Sequence, residues 1–145
     1  MLISQFTSVE QYLTAILGHY DTENGRLEFI NAGHPTGFII TREKEVVRLE
    51  PSDLVIGVIP DYEFKVFETT LNRDDVMILY SDGVTELFDP DEEQFGEERL
   101  LELLGRIRDR SLEDICGDMI ASLDQFRRGH PRSDDITLLG LKRLS

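Results

Sequence analysis

The chain has 145 residues, 40% hydrophobic and 30% charged, with a formal net charge of −14. That length suits one domain with a core of its own, and the balance is ordinary for a globular protein. So acidic a surface repels a phosphate backbone, which argues against nucleic acid as a partner, yet it is compatible with divalent cations.

No apolar run approaches the roughly 20 residues of a bilayer span. Met1 to Glu10 lacks the basic start and apolar stretch of a secretory leader. Cys116 is the only cysteine, so no internal disulfide can form and nothing points to export. The expected compartment is the cytoplasm.

In chain order, Tyr12 to Tyr20 is apolar and aromatic, and Arg26 to Asn31 alternates Leu27 and Phe29 with Arg26 and Glu28. The Asn24-Gly25 pair between them supplies a positive φ cheaply, a hairpin signal. Thr36 to Thr41 and Glu45 to Leu49 read as a second strand pair. Phe64 to Thr70 alternates, and Asp75 to Tyr80 carries the continuous apolar run of a buried strand. Leu71 to Asp74 is the turn between those two.

The period then changes. Leu100, Leu101, Leu103, Leu104 and Ile107 give a helical face within Glu97 to Arg108. Ser111, with Glu113 and Asp114 behind it, opens a second helix. Its stripe is Leu112, Ile115, Met119, Leu123 and Phe126, and Arg127, Arg128 and Gly129 close it. Ile136 to Lys142 is a last strand. The sum is an α+β arrangement of antiparallel strands followed by two helices.

Two aspartate motifs could carry chemistry. In Ser81-Asp82-Gly83, Asp82 follows the buried strand and sits on a rigid support. A carboxylate so held can bind a hard cation, although Ser-Asp-Gly is equally a turn signature. Ser133-Asp134-Asp135-Ile136-Thr137 precedes the last strand. Its neighbouring carboxylates repel unless a cation or donors compensate, and a solvated loop fits as well. One sheet could bring both motifs to one edge. Carboxylate-only ligation suits Mg²⁺ or Mn²⁺ rather than zinc.

The remaining candidates read as structural. Asn31-Ala32-Gly33-His34-Pro35 is a turn in which His34 hydrogen-bonds locally, ahead of a ligand or general acid. His19 and His130 are isolated, and Cys116 reads as a buried, inert thiol. The acidic run from Glu86 to Glu98 reads as a solvated loop, ahead of a cation collector or a dock for a basic partner. There is no P-loop, Rossmann fingerprint or zinc-ligand spacing.

GRLEFINAGHP (Gly25 to Pro35), IGVIPDYEF (Ile56 to Phe64), LNRDDVMILYSDGVTELFDPDEEQFGEERL (Leu71 to Leu100) and SDDITLLGLK (Ser133 to Lys142) occur in that order. The set resembles the phosphatase domain of the bacterial stage II sporulation E family, within the PPM superfamily of metal-dependent protein phosphatases. The resemblance implies an αββα sandwich of antiparallel sheets flanked by helices. It implies hydrolysis of phosphoserine or phosphothreonine on a signalling protein, often an anti-sigma-factor antagonist. It further implies two Mn²⁺ or Mg²⁺ ions that activate a water, with no covalent phosphoenzyme. By motif, Asp82 and Asp134 would be metal ligands, Gly83 would let the backbone pass close to the metals, and Asp135 would support the ligands.

The family also has an early Gly-Asp-Val-x-Gly-His-Gly-like motif whose aspartate bridges the metals. The only Gly-Asp pair here is Gly117-Asp118, inside a helix pattern. The chain therefore reads as one partial, N-terminally truncated domain over 1–145, lacking the first strands and helices. One weak metal site and little turnover are expected of it. So is self-association, as a dimer, through the sheet face those helices would cover or through edge strands. The alternative is a non-catalytic partner-binding module that keeps the fold.

Overall fold

The computed structural model describes residues 12–51 and 54–144; the segment Met1 to Glu10 lies outside them. Strands β1 (Ala15–Tyr20) and β2 (Arg26–Ala32) form the expected hairpin, with Gly25 at φ 81°. Asp21 holds its turn by accepting from the Glu23 amide at 2.9 Å. Strand β5 (Phe67–Thr70) pairs with the other edge of β2, which gives a three-stranded sheet ordered β1-β2-β5. Strands β3 (Gly37–Ile40), β4 (Val46–Leu49), β6 (Val76–Tyr80) and β7 (Leu138–Lys142) form a second sheet ordered β4-β3-β6-β7. Among the described residues every strand pairing is antiparallel.

The turn expected at Leu71 to Asp74 is a corner where the chain changes sheet, because β5 and β6 belong to different sheets. Asp75, buried, holds this corner. Its two carboxylate oxygens accept from the Arg42 amide at 3.0 Å and the Asn72 amide at 2.8 Å. The strand expected from Phe64 begins only at Phe67.

Period-two alternation sorts β3 and β6 between two cores. Phe38, Ile40, Val76, Ile78 and Tyr80 pack against the helices. Ile39 and Met77 face Leu27 and Phe29 of the other sheet. Both sides of β6 are buried, which is why its sequence is continuously apolar. Helix α1 (Gly96–Ile107) contributes Leu100, Leu103, Leu104 and Ile107, and α2 (Leu112–Arg127) contributes Ile115, Met119 and Leu123. Burying a side chain of this size stabilises by about 1.5–3 kcal/mol. Ser111 caps α2 as expected, its Oγ accepting from the Asp114 amide at 3.1 Å. Arg108, buried at the end of α1, donates to the Thr41 carbonyl at 2.8 Å and the Asp74 carbonyl at 2.7 Å, tying the helix to two loops.

The layers are thus the three-stranded sheet, the four-stranded sheet and the helix pair. Among the described residues no helix covers the outer face of the three-stranded sheet. There Leu17 is 51% and Val66 58% exposed. Gly117-Asp118 lies inside α2, and Asp118 pairs with Arg110.

Candidate metal centre

Strand β6 ends at Tyr80, opposite the first residue of β7, Leu138. The antiparallel pairing therefore delivers the chain after β6 and the chain before β7 to the same edge. Ser81 and Thr137 fasten the two together. The Ser81 amide donates to the Thr137 carbonyl at 3.0 Å, and the Thr137 amide donates to Ser81 Oγ at 2.9 Å. Ser81 Oγ in turn donates to the Asp135 carbonyl at 2.9 Å.

Gly83 completes the junction. A Cβ there would lie 2.5 Å from the Asp135 carbonyl oxygen and 3.4 Å from that of Asp134. The position has no positive φ, so a sharp turn is not what demands glycine. Close approach of the two aspartate loops does.

Asp82 and Asp134 are both exposed. Asp82 Oδ1 accepts from the Gly83 amide at 2.9 Å, and Asp134 Oδ1 from the Asp135 amide at 2.7 Å. These bonds fix each carboxylate against its own loop. The donors gathered here, two carboxylates beside backbone carbonyls, are hard oxygens of the kind Mg²⁺ and Mn²⁺ accept. They fit such an ion in chemistry but make only part of a coordination set. Among the described residues no group of three or more His, Cys, Asp or Glu is placed to hold an ion. Asp135 is exposed and contributes its carbonyl to the junction.

A cleft of about 370 Å³ opens beside this edge, lined by Ala15, His34, Tyr80, Ser81, Thr137 and Leu139 among others. His34 reaches it from the crossing between the sheets. The local hydrogen bond expected of His34 is made by its backbone amide, to Asn31 Oδ1 at 2.9 Å. The ring does not share in it: Nδ1 is buried with no hydrogen-bond partner among the described residues. Tyr80, stacked on Phe38 with ring centroids 6.0 Å apart, has its phenol pushed up to about 12 by burial, with the Glu97 carboxylate adding to the shift.

The other histidines stay apart from this edge. His19 is exposed and lies 3.7 Å from the Glu28 carboxylate across the strand pair. His130 Nδ1 is 3.1 Å from the Pro131 carbonyl oxygen. Cys116 is half-buried rather than buried.

The acidic run departs from the sequence reading. It is not simply solvated, since Asp89 is only 7% exposed. Asp89 Oδ1 accepts from the amides of Asp91 at 2.9 Å and Glu93 at 3.0 Å. Arg128, at the end of α2, donates from Nη2 to Asp89 at 3.0 Å and to Asp91 at 2.6 Å. Burial pushes the Asp89 carboxyl up, but the Glu93 and Asp91 amides and the guanidinium outweigh it and hold it below its ordinary value. In the sequence Arg128 shows only as a helix-closing basic residue; no local signal pairs it with a loop 37 residues earlier.

The family model described as Stage II sporulation protein E matches residues 2–144. Protein IcfG of Synechocystis sp. is 30% identical over 145 residues, covering 98% of this chain and 22% of that protein. Phosphoserine phosphatase RsbU of Bacillus subtilis is 28% identical over 150 residues, covering 98% of this chain and 42% of that protein. The chain therefore spans less than half the length of these relatives. The fold also matches the solved SiaA-PP2C domain of Pseudomonas aeruginosa at a TM-score of 0.81 and 23% identity, covering 91% of this chain and 52% of that one. Further structures of this fold carry magnesium or two manganese ions. With its two sheets, its helix pair and its paired aspartate loops, the chain belongs to the stage II sporulation protein E family.

Proposed function

We propose that this chain supplies the β6–β7 part of the metal centre of a protein serine/threonine phosphatase domain. The observation that carries the reading is the junction of the two aspartate loops, fastened by Ser81, Thr137 and Gly83. Asp82 and Asp134 would hold Mn²⁺ or Mg²⁺, with Asp135 supporting them through its carbonyl. The chemistry such an ion supplies is activation of a water for attack on a phosphoester. The chain's own part is to bring two carboxylates to one end of the β6–β7 pair.

The substrate class is phosphoserine or phosphothreonine on a regulatory protein, such as an anti-sigma-factor antagonist, in the cytoplasm. Residues 1–145 form one partial domain. Two carboxylates bind a single ion weakly, so turnover by this chain alone is low. Its bare sheet face, with Leu17, Ile30 and Val66 around a shallow groove, favours a dimer.

Titration calorimetry with Mn²⁺ tests the centre. The wild type is expected to bind one ion, and Asp82→Asn and Asp134→Asn are each expected to lose that heat. Equal binding by wild type and both variants would remove the reading. Capture of a phosphoprotein with no dependence on Mn²⁺ or on Asp82 would leave the partner-binding module in its place.

A further inference from the structure

We propose that Arg128 is a positioning residue, a latch that fixes the loop carrying Asp82 against the segment carrying Asp134. Its importance for metal binding rests on the reading just given; its role as a latch does not.

The backbone gives the first sign. Arg128 ends α2 in the left-handed region, at φ 44° and ψ 38°. Glycine is the usual occupant of such a position, and one stands next in the chain, Gly129. An arginine here is costlier than glycine, and its side chain meets two carboxylates. Asp89 and Asp91 converge on the same Nη2.

The loop that Asp89 organises is continuous with Asp82. Between them run backbone bonds from the Val84 amide to the Ser81 carbonyl at 3.0 Å and from the Glu86 amide to the Asp82 carbonyl at 2.9 Å. The Phe95 amide then bonds the Leu87 carbonyl at 2.8 Å, and the Gly96 amide the Thr85 carbonyl at 2.9 Å. These bonds cross-brace residues 81–96. The opposite segment is equally tied down. Arg127 and Arg132 both donate to Asp124 of α2, at 2.8 and 3.1 Å, and the His130 amide donates to the Arg127 carbonyl at 2.7 Å.

The two loops thus meet at two places, Ser81 and Gly83 against Asp134–Thr137, and Asp89 and Asp91 against Arg128. One anchor would be a hinge about which the carboxylates could swing apart. Two anchors fix their separation, as outer partners fix the ligands of a metal site.

The test compares wild type with Arg128→Gly in the 145-residue chain. Glycine suits the left-handed backbone, so the variant keeps its fold and thermal midpoint while losing the latch. Backbone amide exchange at Asp91, Glu93 and Thr137 is expected to quicken by about tenfold, with the sheet core unchanged. Mn²⁺ affinity is expected to fall by about tenfold, and Arg128→Lys to recover part of both effects. Unchanged exchange at these amides in Arg128→Gly overturns the latch, whatever the metal does. Faster exchange with unaltered Mn²⁺ affinity overturns its positioning role while the metal centre stands. A wild type that binds no Mn²⁺ removes the metal-centre reading, and the exchange comparison still decides the latch.

Discussion

The two sheets of this molecule are built from similar strands but live in different surroundings. The four-stranded sheet lies between the helices and the other sheet; its inner strands β3 and β6 are buried on both sides, and β6 is apolar at every position. The three-stranded sheet is buried on one side only. Its β2 alternates Leu27 and Phe29 inward with Glu28 and Ile30 outward. One aspartate loop follows the doubly buried β6, and the other leads into the edge strand β7, so the two carboxylates stand on supports of unequal firmness.

The contrast is sharpest for large-to-small substitutions. Leu104→Ala, in the helix-covered core, is expected to cost about 2–5 kcal/mol, whereas Val66→Ala on the bare face should stay within about 0.5 kcal/mol. Urea unfolding of both variants checks this, and equal losses would mean that the outer face is covered after all.

Next in size is Gly83→Ala, where a methyl would press on the Asp135 carbonyl. A loss of about 1–3 kcal/mol and a weakened Mn²⁺ heat are expected. Gly105→Ala in α1 meets nothing and should instead gain about 0.5–1 kcal/mol. Ser81→Ala removes two hydrogen bonds of the junction and is expected to cost roughly 1–2 kcal/mol, read by chemical denaturation with parallel loss of Mn²⁺ affinity.

A smaller effect depends on pH. The Tyr80 phenol is raised above its ordinary value of 10 to about 12. Its contribution is fully present below pH 10 and fades as pH rises from 10 to about 12, because only the unfolded chain ionises there. Asp89 and Asp124 lie below their ordinary value of 3.8, Asp124 through its hydrogen bonds to Arg127 and Arg132. Their contributions are present at neutral pH and are lost as pH falls below that value. Absorbance of phenolate should show one tyrosine titrating late, a lag that Tyr80→Phe abolishes. The slightest change in stability belongs to Leu17→Ser on the bare face, but it should lower the self-associated fraction in light scattering. A wild type that is monomeric at micromolar concentration would count against that surface.

Much of this architecture was legible in the chain because local physics wrote it. The apolar run of β6, the stripes of α1 and α2, the Ser111 cap and the Asn24-Gly25 turn each follow from residues a few positions apart. Asp82 and Asp134 were legible as strand-end carboxylates for the same reason. What escaped depends on which strands become neighbours. The Ser81–Thr137 fastening spans 56 residues, and the reason for glycine at 83 lies in a loop 52 positions away. The corner at Leu71–Asp74 looks like a hairpin turn until β5 and β6 are seen in different sheets. Asp89 reads as one solvated acid among many, since nothing near it announces Arg128.

The pairing of β6 with β7 also sets an order of events. Both helices lie between Tyr80 and Leu138 in the chain, so the two strands meet only after a long loop has closed, a step penalised by entropy until the helix core forms to offset it. During synthesis the Asp82 loop must therefore wait, exposed and without its partner, until the whole helix pair has emerged. In the finished molecule the same topology runs backwards. β7 is an outer strand of its sheet, so a brief detachment of that one strand dissolves the junction while the core stays folded. The junction thus depends on the strand that comes last in the chain and sits at its sheet's edge.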